Sequence, residues 1–288
     1  MSTPQIIDRA AVRRNRERAA ANFDGFDFLM AHAADDLMER LADVKREFPR
    51  VLDLGCHTGL LGQRLLTRSD VATLVSCDAA LAMARAAPGS RLAADEEALP
   101  FADGAFDLIV SCLSLHWIND LPGCLIQVRR ALKPDGLFLA AMLGGTTLAE
   151  LRHAFLAAEA EIEGGASPRV SPFADVRDAG NLLVRAGFAL PVAVTDTLTV
   201  SYESPLKLVR DLKGMGEANA QSARRRTFTR RTTLARALEL YEERFKGSDG
   251  RVPATFEVVT LTGWAPHEMQ PRPARRGSGT VPFKKALG

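Results

Sequence analysis

The sequence has few cysteines, no long apolar run and no marked excess of one sign of charge. Its four cysteines include no CxxC pair, which argues against a local zinc site or a disulfide framework and favours reduced, buried thiols. The apolar runs are too short to span a bilayer. With 37 basic and 35 acidic residues, the net charge of +2 points to neither nucleic acid nor a membrane surface. These properties predict a cytoplasmic globular protein without a transmembrane segment.

Basic residues cluster locally, at the start of the chain, in RRRTFTRR (224–231) and at the C-terminal end. No apolar segment follows the first cluster, which argues against a secretory signal, and Asp8 and Glu17 interrupt the pattern of an organellar transit peptide. For RRRTFTRR, a solvated helix start is the simplest interpretation, and an acidic protein partner is the next. A nucleic-acid partner is disfavoured, because this is the only dense basic cluster inside the chain.

Apolar, strand-like segments alternate with segments of helical periodicity along the chain. This alternation predicts an α/β protein with a Rossmann-like, mostly parallel seven-stranded sheet, helices on both faces and a helical insertion before the last strand. The predicted third strand is RLAAD (91–95), and Thr147 with Glu150 forms a capping-box pattern for a later helix. We expect one domain over 1–288, composed of an N-terminal helical region (1–48), a cofactor-binding half (49–145), a substrate-side half (146–265) with the insertion at 204–250, and a basic tail (266–288).

The stretch VLDLGCHTGLLG (51–62) has the features of a turn that receives a nucleotide-like cofactor. An apolar strand carries Asp53, and Gly55 and Gly59 follow before a helix, so the backbone can approach a ligand closely. Asp78 ends the second strand, nineteen residues after Gly59. That is about the separation at which an acid takes the ribose hydroxyls in a nucleotide-binding βαβ unit. The dinucleotide pattern GxGxxG is absent.

Taken together, DLGCHTG, the CD pair at Asp78, ADEEALPF, FDLIVSCLSLHWI and ALKPDGLF resemble the class I S-adenosylmethionine-dependent methyltransferases. The resemblance implies S-adenosyl-L-methionine as the cofactor, with its methionine part at the first acid, its ribose at the second and its adenine at the third strand end. The cofactor-binding residues expected from it are Asp53, Gly55, Cys56, His57, Gly59, Asp78, Asp95, Glu96 and Ser111. Structural alternatives stay open. Asp53 is also placed to cap a helix, and Asp78 to form a turn. Asp95 and Glu96 also fit a solvated loop.

His57 stands where methyltransferases of this class usually have glycine. Histidine is enriched at positive φ, so the turn tolerates it. One hypothesis is that its ring hydrogen-bonds the methionine carboxylate of the cofactor. The alternative is a tolerated side chain that points to solvent.

A more specific resemblance covers almost the whole chain. CLSLHWINDLPG, LKPDG, EGGASPRVSPF, DLKGMGEAN, GRVPATFEV and ARRGSGTVPF are similar to the respiratory complex I assembly factor 5 family. That family has a methyltransferase fold and is associated with hydroxylation of an arginine in the complex I subunit next to the quinone site. The resemblance therefore implies a complex I (NADH:ubiquinone oxidoreductase) subunit as protein substrate, an assembly role and peripheral contact with the membrane complex. A weaker resemblance, through LPF, FDLIVS and LKPDG, is to malonyl carrier-protein O-methyltransferases.

His116 and Trp117, just past the fourth strand, are the candidate catalytic residues. His116 is the candidate base, and Trp117 is a candidate wall for an arginine side chain. The alternative for His116 is a packed, hydrogen-bonded histidine. The five histidines form no HxD or HxE pair, so the sequence gives no local sign of a metal site. Hydroxylation, as opposed to methyl transfer, therefore follows from the resemblance alone.

Three functions remain open at this point. The first is modification of a protein arginine, and the second is O-methylation of a carrier-bound or small-molecule acid. The third is an assembly chaperone that binds the cofactor without turning it over. SPRVSPF, LKGMGEAN and the helical insertion are expected to form a substrate lid over the cofactor mouth, although ordinary connecting loops have similar composition.

Overall fold

The computed structural model describes residues 5–271 and 278 and is built on a seven-stranded sheet. The strands are β1 (Arg50–Leu54), β2 (Thr73–Asp78), β3 (Ser90–Ala93), β4 (Phe106–Cys112), β5 (Leu132–Leu143), β6 (Ala189–Tyr202) and β7 (Val252–Trp264). Their order is β3-β2-β1-β4-β5-β7-β6. The first five strands pair in parallel, and β7 runs antiparallel to β5 and β6. The Rossmann-like, mostly parallel sheet predicted from the sequence is confirmed.

Helices cover both faces of this sheet. They are α1 (Arg9–Ala19), α2 (Phe28–Ala42), α3 (Leu60–Leu65), α4 (Leu81–Ala86), α5 (Leu121–Ala131), α6 (Ala149–Glu163), α7 (Val176–Ala186), α8 (Pro205–Gly214) and α9 (Arg231–Phe245). Every residue of β4 is buried, as its continuous apolar run predicts. Leu108 and Val110 pack in one core with α2 and α3, and Ile109 packs in the other with α5 and α7. This alternation is the two-residue period of a strand buried on both sides.

The chain reverses its strand order at β1, which lies between β2 and β4. In open parallel sheets, ligands bind beyond the carboxyl ends of the strands at such a switch point. The carboxyl end of β1 leads into the turn that the sequence singles out, and the carboxyl ends of β2 and β3 lie beside it. The topology therefore brings Asp53, Asp78 and the residues after β3 to one edge.

Two local predictions are wrong. The third strand ends at Ala93, so Asp95 and Glu96 follow it in a turn rather than ending it. Thr147 and Glu150 do not form a capping box, because α6 begins after Leu148 without a side-chain cap. Both side chains bond β7 instead: the Thr147 hydroxyl donates to the Glu257 carbonyl (3.2 Å), and Glu150 accepts from the Thr255 N–H (3.3 Å).

The predicted helical insertion contains α8 and α9, and α9 packs against α6. Of the predicted basic tail (266–288), only 266–271 and 278 are among the described residues. The segment ARRGSGTVPF otherwise lies outside them. Over the described part of the chain, none of the helices combines the length and apolar character needed to cross a membrane.

Candidate functional site

The turn after β1 is held in a shape that requires glycine at two positions. Gly55 has φ +67° and Gly59 has φ +85°. A Cβ atom added to Gly55 would lie 2.0 Å from the Ser114 hydroxyl oxygen, and one added to Gly59 would lie 2.2 Å from Pro88 Cδ. The Gly55 N–H donates to the Cys77 carbonyl at the end of β2 (2.8 Å), which fixes the turn beside Asp78. The glycines thus allow close approach of backbone to neighbouring strand ends.

Asp53 is a fully buried carboxyl group inside β1. Neither of its side-chain oxygens makes a hydrogen bond of normal geometry among the described residues, although the Gly62 N–H lies nearby, and α3 begins after Gly59 without a side-chain cap. The helix-cap alternative is therefore not supported. Burial, together with the charge of Asp78, raises the pKa of Asp53 to about 7, although the Gly62 N–H in α3 partly opposes the shift. An unpaired buried carboxyl group is costly unless a polar partner meets it.

Asp78, at the end of β2, is also fully buried. Its Oδ1 accepts from the Ala80 N–H (2.8 Å), as expected of an acid in a turn. Its Oδ2 accepts from the His57 N–H (3.1 Å) and from Arg16 in α1 (3.2 Å). The residue therefore shapes its own turn and also ties β2 to the turn after β1 and to the N-terminal helix.

Arg16 is the unexpected member of this group, because only 1% of its surface is exposed. Its guanidinium lies between three partners: Asp78, the Glu96 carboxylate (3.3 Å) and the Ser114 hydroxyl (2.9 Å). Glu96 is fully buried and also accepts from Arg9, so the solvated-loop alternative is wrong for this residue. The cations of α1 neutralise acids that would otherwise be buried without a counter-charge.

Arg9 extends the same contact to the exposed Asp95 (2.7 Å). Arg9 and Arg16 are seven residues apart, which puts them on one face of a helix. The sequence analysis did not assign them, although this spacing was available as a signal. Glu17, also on α1, accepts from the Leu81 N–H (2.7 Å) at the start of α4. Helix α1 is thus bonded to residues at and just after the carboxyl ends of β2 and β3.

His57 is buried, with 1% of its surface exposed, so the prediction of a side chain pointing to solvent is wrong. Its ring stacks on Phe23 with centroids 5.5 Å apart, and its Nε2 lies 3.4 Å from the Leu113 carbonyl. Burial, and then the charge of Arg16, lowers the pKa of His57 to about 3, so the ring is neutral. The carbonyl contact places the proton on Nε2. The Nδ1 atom is then an acceptor, and it has no partner among the described residues.

Ser111 and Cys56 complete the predicted set. Ser111 is buried near the end of β4, and its hydroxyl lacks a hydrogen-bond partner within the described part of the chain. The Cys56 thiol is buried beside the His57 carbonyl (3.4 Å), and burial raises its pKa. All four cysteines are free and buried, as predicted. The Asp53 oxygens, His57 Nδ1 and the Ser111 hydroxyl are thus unsatisfied polar atoms near the carboxyl ends of β1 and β4, with Asp53 and Ser111 on opposite faces of the sheet.

His116 and Trp117 lie in a short 3₁₀ helix (Leu115–Trp117) after β4. The His116 side chain is completely enclosed, and its Nδ1 accepts from the Leu143 N–H (3.4 Å). The proton is therefore on Nε2, which donates to Glu217 Oε2 (3.0 Å). The Trp117 Nε1–H donates to the same oxygen (2.9 Å). Both candidate catalytic residues thus donate hydrogen bonds to the Glu217 carboxylate, which the sequence did not indicate as a site residue.

Glu217 follows α8 in the segment GMGEAN, where Gly216 has φ +80° and turns the chain. Burial favours its neutral form, but His116, Arg16 and Trp117 outweigh burial and hold the pKa of Glu217 below its usual range. Within the residues described, no cluster of three or more His, Cys, Asp or Glu side chains is arranged to hold a metal ion.

A cavity of about 690 Å³ opens beside this carboxylate. Trp117 and Glu217 line it, whereas the enclosed His116 does not. Its other walls are largely apolar and include Phe26, Leu143, Leu151, Phe155, Phe173 and Leu212. Residues of SPRVSPF, of LKGMGEAN and of the insertion also line it, so the segments expected over the site do meet there.

The comparisons with known proteins agree with this architecture. A family model described as a methyltransferase domain matches residues 52–140. The YcgJ protein of Bacillus subtilis has a similar fold, with a TM-score of 0.55 at 17% identity over 82% of this chain and 99% of that protein.

Two curated relatives span nearly the full length. The mouse mitochondrial arginine-hydroxylase NDUFAF5 is 43% identical over 96% of this chain and 82% of its own length. A malonyl-[acyl-carrier protein] O-methyltransferase of Halorhodospira halophila is 40% identical over 90% of this chain and 89% of its own length. The predicted resemblance to complex I assembly factor 5 is confirmed by the first of these. The chain is an enzyme of the methyltransferase superfamily and belongs to the arginine-hydroxylase NDUFAF5 family.

Proposed function

We propose that this protein binds S-adenosyl-L-methionine and modifies an arginine side chain of a complex I subunit during assembly of the complex. The observation that carries the proposal is that two features lie around one residue, Arg16, in a chain 43% identical to an arginine hydroxylase over 96% of its length. One is the row of acids at the ends of β1, β2 and β3, and the other is the cavity floored by Trp117 and Glu217.

The residues after β1, β2 and β3 fit this cofactor. Asp53 has two unpaired oxygens for the ammonium group, and Gly55 and Gly59 keep the backbone close to the methionine part. We assign Asp78 to the ribose, and Asp95 and Glu96 to the adenine. Since His57 Nδ1 is an acceptor, we assign it to the ammonium rather than to the carboxylate of the cofactor. Cys56 lies in the turn between Gly55 and Gly59, and Ser111 lies near the carboxyl end of β4. The cofactor, when bound, supplies a sulfonium-activated methyl group.

Acids at both the ribose and the adenine positions are already engaged by the protein. Arg16 holds Asp78 and Glu96, so a ligand that takes these carboxylates has to displace that guanidinium. We infer that α1 shifts when the cofactor binds. Asp78→Ala should weaken binding of S-adenosylmethionine at least about tenfold, because it removes a charged hydrogen-bond acceptor. The measurement is titration calorimetry, with the exposed Asp103→Ala as control; unchanged affinity in Asp78→Ala would show that the cofactor assignment is wrong.

The chemistry at the arginine separates two outcomes. Hydroxylation of a C–H bond by dioxygen balances when the second oxygen atom leaves as water, which requires two electrons and two protons from a co-substrate. Methylation transfers the sulfonium methyl group to a guanidinium nitrogen, with the thioether as leaving group and one N–H proton lost from that nitrogen. The enclosed His116 orients Glu217 in either case, so the group that meets the substrate is the carboxylate.

The test is peptide mass spectrometry of the quinone-proximal complex I subunit from cells with and without the gene. An arginine that lacks one oxygen in the deletion strain supports hydroxylation, and one that lacks a methyl group supports methyl transfer. Assembly that persists with His116→Ala while the modification is lost supports catalysis rather than a chaperone role. No mass difference would contradict the proposal and favour O-methylation of an acid, the activity named in the Halorhodospira relative.

We infer a reducing compartment from the four buried, free cysteines. The cytoplasmic location expected from the sequence stays a prediction; the mouse relative is named as mitochondrial.

A further inference from the structure

We propose that the 690 Å³ cavity selects an arginine whose neighbours in the substrate are acidic. In this assignment Glu217 receives the guanidinium at the floor. Arg18, Arg210 and Lys213, the rim cations, receive acidic residues beside the arginine. The inference rests on the proposed function and deepens it, because it names the side chains that choose the substrate.

The Glu217 carboxylate is fixed by one of its oxygens and free at the other. Oε2 accepts from both the His116 and Trp117 rings, whereas Oε1 has no hydrogen-bond partner among the described residues. The side chain is only 11% exposed and lines the cavity. A fixed, poorly solvated carboxylate of this kind binds most strongly a cation that also donates hydrogen bonds to its free oxygen.

The walls favour guanidinium over other cations. Phe26, Phe155 and Phe173 line the same space as Glu217. A guanidinium is planar and weakly hydrated, so it stacks on aromatic faces and still donates in its plane, whereas an ammonium retains its water more strongly. The chain already shows one such contact, because the Arg169 guanidinium lies 5.3 Å from the Phe155 ring centroid.

The same carboxylate disfavours an acidic substrate group at the floor. Two anions close together in a poorly solvated site repel each other strongly. A malonyl-type carboxylate bound at the floor would meet the negative charge of Glu217, whose pKa, despite burial, is held below its usual range by His116, Arg16 and Trp117. Glu217 therefore disfavours binding of an acid at the floor of this cavity.

The rim carries positive charge that the protein does not neutralise. Arg18, Arg210 and Lys213 are exposed and line the cavity, and none has an ion-pair partner in the described part of the chain. Arg169 differs, since Glu159 pairs with it. Cations around a binding site steer acidic partners and repel basic ones. A substrate arginine is thus admitted most readily from an acidic segment.

The experiment measures binding of short fluorescent peptides to the full-length protein. Each peptide has one central residue, either arginine or citrulline, its neutral isostere, and flanks that are acidic, neutral or basic. The protein variants are Glu217→Gln and the pair Arg210→Glu with Lys213→Glu. Matched controls are Glu203→Gln and Arg177→Glu, which change exposed residues that do not line the cavity.

The unaltered protein is expected to bind the arginine peptide about tenfold or more tightly than the citrulline peptide, and Glu217→Gln should reduce this ratio to about one. The rim pair should reverse the preference for acidic over basic flanks. Glu203→Gln and Arg177→Glu should change neither ratio. Ratios are used because a variant that merely lost packing would weaken both peptides together.

An arginine-to-citrulline ratio that survives Glu217→Gln overturns the assignment of the floor, and a flank preference that survives the rim pair overturns that of the rim. Tighter binding of monomethyl malonate than of any peptide overturns both. These outcomes can be told apart from a failure of the proposed function. Glu217-dependent arginine binding, combined with an unmodified complex I subunit in cells, would retain the cavity assignment and refute the proposed substrate protein.

Discussion

The two halves of the site handle charge in opposite ways. On the cofactor side, the buried acids Asp78 and Glu96 meet cations from the chain itself, chiefly Arg16. On the substrate side, Glu217 accepts hydrogen bonds from His116 and Trp117, while the rim cations have no acidic partner among the described residues. The first half is neutralised internally, and the second half presents unmatched charges to whatever enters. The substrate side is therefore where charge determines which partner binds.

The largest effect is expected when the internal cation Arg16 is removed. Arg16→Ala leaves Asp78 and Glu96 buried without their counter-charge, which should lower the free energy of unfolding by about 3–5 kcal/mol. The measurement is urea unfolding. Arg14→Ala, an exposed site on the same helix, should change it by no more than about 0.5 kcal/mol. Equal effects of the two substitutions would mean that α1 does not neutralise the acids. Adding Glu96→Gln to Arg16→Ala should recover part of the loss.

A second prediction concerns the acid that α1 does not reach. Asp53 has a folded-state pKa of about 7, against a value of 3.8 without the fold. Between these pH values the folded chain binds the proton more tightly than the unfolded chain. The free energy of unfolding should therefore fall as the pH rises from about 4 to about 7, by up to about 1.4 kcal/mol per pH unit.

The Asp53→Asn variant should lack this slope and be more stable than the unaltered protein above about pH 7. Urea unfolding across the pH range measures both quantities. The exposed Asp103→Asn serves as the control and should keep the slope. If Asp53→Asn and the unaltered protein have the same pH dependence, Asp53 is already ionised and paired in the folded chain.

The smallest expected effect is at the turn. His57→Gly removes one acceptor, Nδ1, and should weaken S-adenosylmethionine binding about two- to thirteenfold, the value of a single hydrogen bond of about 0.5–1.5 kcal/mol. Calorimetric titration of the folded variant gives the dissociation constant. His153→Ala, an exposed histidine on α6, should leave it unchanged. An unaltered constant in His57→Gly would limit His57 to packing against Phe23.

Much of the sheet could be predicted from the sequence because its signals are local. The continuous apolar run of β4 predicts a buried strand, and the glycines after β1 predict a tight turn. Once the strands are assigned, the acids at their ends are assigned too. The remaining site depended on contacts between distant residues. Arg16 meets Asp78 across 62 positions, and His116 meets Glu217 across 101. No periodicity encodes such pairs. His57 was misplaced in solvent for the same reason, because Phe23 covers its ring.

Helix α1 belongs to the same folding unit as the region that the family model matches. The region matched by the methyltransferase family model, residues 52–140, contains the buried acids but neither Arg9 nor Arg16. A fragment trimmed to that region would retain the carboxylates and lose the cations that balance them. The amino-terminal helix α1 therefore contributes buried charged side chains to the interior. A shortened version of this chain has to retain Ile7, because its backbone N–H donates to the Asn119 side chain (2.8 Å).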